Sequence, residues 1–191
     1  MTLTPNDILN DFKKYVSGNK KIFKVTIFGD SGVGKTSLIR RFADAKFDKN
    51  YSMTIGGEFA TKNIPISSHK EITLLFSDVA GQKRFEETNE VFFAGAEICL
   101  AVFDLTREQS LNNLFKNWIP RFVRTIAPGT QPKLQIVGNK SDLTDLIVIG
   151  LRDIEEIASK ISVRFPQISL LKPFLITSAK FNRYETEAFF S

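Results

Sequence analysis

From residue 22 onward, short apolar runs alternate with amphipathic stretches. The runs 22–28, 58–66, 71–77, 98–104, 133–138 and 173–177 read as strands. Most are continuously apolar, as strands covered on both faces are. Between and after them, 35–44, 82–94, 110–126, 151–164 and 183–190 carry helical spacing. The alternation predicts an α/β fold in three layers: a mixed, mostly parallel six-stranded sheet with helices on both faces. Runs 58–66 and 71–77 flank a short polar turn and pair as the one hairpin, giving an antiparallel edge strand. In such sheets ligands gather beyond the carboxyl ends of the strands. Gly29, Asp78, Asp104, Asn139 and Ser178 all fall just after predicted strand ends. Widely separated polar segments therefore converge on the loop that opens at Gly29.

Residues 1–20 stand before this pattern as an extension, and 21–191 form the domain. Thr4 and Pro5 make a helix start, and Ile8, Leu9, Phe12, Tyr15 and Val16 share one helical face. Gly18 is a stop. So short an amphipathic helix is marginal alone in water. Either it packs on its own domain or frays, or it lies on a membrane surface or a partner, with Lys13, Lys14, Lys20 and Lys21 near.

Composition narrows the picture. At 191 residues and 42% hydrophobic content, the chain builds one sizeable core and not two. Its 18 phenylalanines make that core rich in large rings. The single cysteine, Cys99, sits in an apolar run, which excludes a disulfide framework and fits a reducing, cytoplasmic setting. The single histidine, His69, lies in a polar turn and argues against His-based zinc or triad chemistry. The net charge of +5 comes from Lys and Arg scattered among acids, not from the focused basic stripe that nucleic acid requires. No apolar run of about 18 residues is present to span a membrane. The N-terminus lacks the pattern of a secretory signal.

The candidate chemistry begins at Gly29-Asp-Ser-Gly-Val-Gly-Lys35-Thr36, a G-x-x-x-x-G-K-T segment between a strand and a helix. Successive backbone amides there cradle phosphate oxygens, helped by the positive end of the following helix. The cradle comprises Ser31, Gly32, Val33, Gly34, Lys35, Thr36 and Ser37. Lys35 reaches the terminal phosphates, and the Thr36 hydroxyl ligates Mg²⁺. Asn139-Lys140-Ser141-Asp142 follows strand 133–138. A carboxylate at Asp142 accepts paired hydrogen bonds from guanine that adenine cannot offer. Asn139 contacts the base or ties loops together, and the Lys140 stem covers the ring. Thr177-Ser178-Ala179-Lys180 follows the last strand, with the Ala179 amide suited to guanine O6. Asp78-Val-Ala-Gly81-Gln82 follows strand 71–77. There Asp78 holds Mg²⁺ through water, Gly81 offers its amide to a γ-phosphate, and Gln82 orients an attacking water.

Together these motifs, with Tyr51–Phe59, resemble those of the Ras-superfamily small GTPases, and most those of the Rab branch, in order from about Ile22 to Phe190. The resemblance implies a small G-domain of the P-loop NTPase type. It implies GTP and GDP as substrate and product, with Mg²⁺ as cofactor. Thr54 would be the switch threonine, closing over Mg²⁺ and the γ-phosphate; Phe47 would pack against the base and Tyr51 would cover the phosphates. Ser178 and Lys180 would complete the base site. Gln82, Lys35 and Thr54 would carry hydrolysis, which is slow because no arginine occupies an evident cis-finger position. In relatives a supplied arginine is worth roughly 10³–10⁵ in rate. An activating protein, an exchange factor and effectors are implied as partners, in a switch that serves membrane trafficking. The alternatives are a GTP-binding scaffold with little hydrolysis and a P-loop kinase or ATPase.

The chain departs from the family pattern in several places. Ser77 and Val79 stand where Trp and Thr are usual, and Gly57 replaces an apolar residue. Residues 162–172 form a longer link into the last strand, and the last helix is cut short at Ser191. No lipidation motif is present, so any peripheral membrane association would use another anchor.

Overall fold

The structure is a computed structural model, and it describes residues 22–44, 57–67, 70–79, 89–171, 174–181 and 183–185. β1 (Ile22–Phe28) leads through the glycine-rich loop into α1 (Lys35–Asp44). β2 (Gly57–Ser67) and β3 (Lys70–Val79) follow, then α2 (Asn89–Phe93) and β4 (Ile98–Asp104). Helix α3 runs as Glu108–Asn113, a π-helical turn Leu114–Trp118, and Ile119–Arg124. β5 (Lys133–Asn139), α4 (Leu151–Arg164), β6 (Ser169–Leu170), β7 (Leu175–Ser178) and β8 (Arg183–Glu185) complete the described order.

One sheet runs β2-β3-β1-β4-β5-β7-β8, with β6 beside β5. β1 pairs in parallel with β3 and β4, and β5 pairs in parallel with β4, β6 and β7. β2 lies antiparallel to β3 as the expected hairpin. Both faces of the central strands are buried. Along β4, Cys99, Ala101 and Phe103 join one core with α3 and α4, while Ile98 and Val102 join the other with α1. The first core is built on rings: Phe28 meets Phe93 edge-on at 5.5 Å and stacks on Phe122 at 5.8 Å. Cys99 is the buried small hydrophobe expected, its thiol pushed well up by burial. No helix among the described residues is long and apolar enough to cross a membrane.

Three differences from the sequence expectations have physical causes. Two short strands join the six expected ones. β6 has only two residues, too few to show periodicity. The predicted helix 183–190 is corrected at its start: Arg183–Glu185 pair antiparallel with Ile176–Ser178, making a second antiparallel ladder. The outer edge of β7 offers backbone donors and acceptors that a strand satisfies at once. Residues 186–191 lie outside the described residues, as do 1–21 and most of the predicted helix 82–94. The third difference is the π turn inside α3, which bears on the site below.

Candidate functional site

The carboxyl ends of β1, β3, β4, β5 and β7 surround the glycine-rich loop. Two glycines permit its path. Gly29 has φ +143°, and a Cβ there would sit 2.0 Å from the Val102 carbonyl oxygen. Gly34 has φ +100°, and a Cβ would strike the Asn139 amide nitrogen at 2.2 Å. Only glycine admits both the torsion and the approach. Gly34 also opens the first turn of α1, its carbonyl accepting from Leu38 N–H at 2.9 Å.

Lys35 begins α1 and is 6% exposed. Its ammonium donates to the carbonyls of Gly29 and Asp30, each at 2.9 Å. Burial pushes its pKa down to about 8, against the pull of Asp78 and Asp30 and with Arg107 adding to the push. A buried ammonium held only by carbonyls favours added negative charge, which is what a phosphate supplies. The next hydroxyl, Thr36, donates to Asp78 Oδ2 on β3. Among the described residues no cluster of three or more His, Cys, Asp or Glu could enclose a metal. One hydroxyl and one carboxylate in contact suit Mg²⁺ instead, which takes few protein oxygens and completes its shell with phosphate and water.

The loop is fastened from behind by α3. Asp30 accepts from Asn113 Nδ2 and Trp118 Nε1, both at 2.8 Å, one on each carboxylate oxygen. Residues five apart diverge by about 140° on an α-helix. The wider π turn, bonded i→i+5, returns them to one face. Sequence reading missed this clamp, and also Arg107. The Arg107 guanidinium lies 3.0 Å from Asp104 Oδ2 and donates to the Ser31 carbonyl at 3.0 Å.

The base end is equally bonded. Asn139, 2% exposed, donates to the Val33 carbonyl at 2.8 Å and accepts from Thr177 Oγ1 at 3.1 Å. It also accepts the Ala179 N–H at 3.2 Å, so the amide expected to meet guanine O6 is engaged by Asn139. Asn139 thus ties the loops after β1, β5 and β7 together. Lys140 has φ +70° and places its ammonium 2.7 Å from Asp104 Oδ2. Burial disfavours the Asp104 charge, but hydrogen bonds from Lys140 and Thr106 outweigh it and hold the carboxyl below the usual range. Asp142 accepts from Ser178 Oγ at 2.6 Å and lies 3.9 Å from the Lys180 ammonium. From α1, Arg41 reaches across to the carbonyls of Ala179 and Lys180, at 2.8 and 2.7 Å. Arg41 thus ties α1 to the loop after β7.

Between loop and base end lies a cavity of about 390 Å³, walled by Gly32, Gly34, Ser37, Asn139, Lys140, Asp142, Ala179 and Lys180. These eight are all expected residues; Ser31, Val33, Lys35, Thr36, Asp78 and Ser178 stand on the same or adjoining segments without lining it. Phe47, Tyr51, Thr54, Gly81 and Gln82 lie outside the described residues.

A model of the Ras family matches residues 24–189. The Ypt/Rab-type GTPase YPT7 of Saccharomyces cerevisiae is 36% identical over 168 residues, which are 86% of this chain and 76% of that protein. The GTP-binding protein ypt1 of Schizosaccharomyces pombe is 35% identical over 168 residues, 88% of this chain and 76% of its own. The Ras-related protein RABG3d of Arabidopsis thaliana is 40% identical over 129 residues, 66% of this chain and 62% of its own.

Proposed function

Because the chain belongs to the Ras family, and as a Rab-like small GTPase, we propose that its cavity takes GDP or GTP with Mg²⁺ and that GTP hydrolysis there drives a two-state switch. One observation carries this reading. A phosphate-type lysine, a Thr–Asp pair fit for Mg²⁺ and a carboxylate fit for guanine gather at the carboxyl end of the sheet, the carboxylate facing the glycine-rich loop across one cavity.

Each group has a task. The loop amides and Lys35 offset phosphate charge. Thr36 and Asp78 would hold Mg²⁺, which would supply positive charge against that developing on the phosphates. Asp142, with Ser178 on one oxygen, presents its carboxylate to the guanine edge and is left underbonded by adenine. Gln82 aligns the attacking water, and Thr54 and Gly81 contact the γ-phosphate, so its loss releases two segments. With positioning and charge as the main catalytic means, turnover is slow until a partner contributes. Activating, exchange and effector proteins are the partners this reading expects, in membrane traffic, with the protein cytoplasmic and peripheral at a membrane.

Calorimetry with Mg²⁺ and GDP, GTP or ATP tests the assignment. Uptake of both guanine nucleotides with ATP excluded is expected; uptake of ATP at equal affinity would defeat it. Single-turnover hydrolysis by Gln82→Leu tests the chemistry. A fall of roughly tenfold or more is expected for a water-orienting group, and an unchanged rate removes Gln82 from it.

A further inference from the structure

Arg107 lies just beyond the turn that follows β4, outside every motif that identifies the site. Its two contacts point in different directions. Nε meets Asp104 Oδ2 at 3.0 Å, and Nη2 donates to the Ser31 carbonyl at 3.0 Å. A trans peptide unit is planar, with its C=O and N–H antiparallel. A guanidinium that holds the Ser31 carbonyl therefore also sets the direction of the Gly32 N–H, which points away from Arg107. Gly32 lines the cavity and has φ +76°. A peptide next to glycine has little steric resistance to turning, so its orientation needs an outside restraint.

The restraint is itself anchored. Asp104 is 1% exposed. Its Oδ1 accepts the Thr106 N–H at 3.0 Å and the Thr106 hydroxyl at 2.7 Å. Its Oδ2 accepts Arg107 and also lies 2.7 Å from the Lys140 ammonium. A carboxylate bonded on both oxygens has no room to swing, and charge-assisted bonds are the stronger kind. One buried carboxylate thus joins Lys140 at the base end to the Ser31–Gly32 peptide at the phosphate end.

We propose that Arg107 is a positioning residue: backed by Asp104, it fixes the Ser31–Gly32 peptide so that the Gly32 amide is aimed at the phosphate chain beyond the first phosphate, and ties that aim to Lys140 beside the base. The inference rests on the guanine-nucleotide reading above. A donor held in place before the ligand arrives costs no reorganisation when charge must be met. The contribution therefore depends on the phosphates present, not on the base.

The experiment compares the full chain with its Arg107→Ala and Arg107→Gln variants, titrated with GDP and with GMP in Mg²⁺. Arg107→Ala weakens GDP about tenfold and GMP by less than about threefold, with tenfold corresponding to about 1.4 kcal/mol. Arg107→Gln keeps a donor but loses the charge and the second arm, and falls between. General loss of structure would weaken both ligands alike, so the GDP-to-GMP split is the decisive readout. Arg107 is half exposed on its side chain, and Arg107→Gln carries the test if the alanine variant folds poorly. Unchanged GDP affinity in both variants, or equal losses for GDP and GMP, overturns the inference. Failure of the unaltered chain to take up GDP overturns the nucleotide reading and this one with it, which separates the two failures.

Discussion

Two cavities of similar volume lie at opposite ends of the sheet, and their walls differ in kind. The one at the carboxyl ends, about 390 Å³, is ringed by Asn139, Lys140, Asp142 and the glycine-rich loop. The one at the amino ends, about 340 Å³, is ringed by Phe23, Phe93, Phe122 and Ile126 together with Glu97 and Lys133. Apolar lining alone does not single out either cavity as the receptacle. What distinguishes the carboxyl end is a set of buried charged and polar groups, held by bonds that cost desolvation to assemble. Lys35, Asp78, Asp104, Asn139 and Ser178 are all buried at or just beyond the carboxyl ends of the strands. Burying such groups is unfavourable unless partners offset the loss. A fold that assembles so many at one end marks where chemistry happens.

The largest break in that comparison comes from Asp142→Asn. Asparagine still accepts from Ser178 Oγ, so the loops keep their contact, but its amide meets the guanine edge donor to donor. A site built to hydrogen-bond a group rejects a ligand lacking it by roughly 10⁴-fold. GDP affinity is expected to fall by about 10³–10⁴, with xanthosine diphosphate gaining in its place, as read by calorimetry. Unchanged GDP binding would remove the carboxyl-end cavity from guanine recognition.

A smaller, sharper effect concerns Lys35. Burial sets its pKa at about 8, below the ordinary 10.5. Below pH 8 the lysine is charged in folded and unfolded chains alike, and the cost of burying that charge is present. Between about 8 and 10.5 the unfolded chain binds the extra proton, so this group makes stability rise with pH through that window. Phosphate brings negative charge to the ammonium and restores the proton. GDP binding at pH 8.5 is therefore expected to take up a fraction of a proton at Lys35, and less as the pH is lowered below 8. Calorimetry in buffers of different ionisation enthalpy reads this directly. Zero uptake at pH 8.5 would place the phosphates away from Lys35.

The same contrast explains what the sequence could and could not disclose. β1 and α4 fall where their spacing put them, because a continuous apolar run and a one-sided helix each carry their own period. Lys35, Thr36 and Asp142 were legible because motif spacing encodes side chains that act by their own chemistry. Arg107 and Arg41 were not, since each works on backbone carbonyls, at Ser31 and at Ala179 and Lys180, which any residue presents. The π turn was hidden because Leu114–Trp118 has ordinary helical composition. The only trace was an acid at Asp30 with two donors, Asn113 and Trp118, five residues apart. The strand at Arg183–Glu185 was misread as helix because a sheet edge just before it in the chain outweighs local periodicity.

The smallest effect is the one that tests whether the two ends are independent. Helix α3 reaches both: Asn113 and Trp118 grip Asp30 in the phosphate loop, and Phe122 lines the amino-end cavity. Ala96→Val adds two methyl groups to that cavity, where Ala96 also lies in the wall. Filling existing space without displacing neighbours changes stability by no more than about 1 kcal/mol, read as a shift of a few degrees in Tm. If the cavity is only a packing gap, GDP release from the variant matches the unaltered chain within about twofold. A larger change in release rate, with Tm held, means α3 transmits strain from Phe122 to Asp30, because tightly packed interiors pass on displacement. The amino end would then be part of the nucleotide machinery, and the contrast between the two cavities would be one of role and not of relevance.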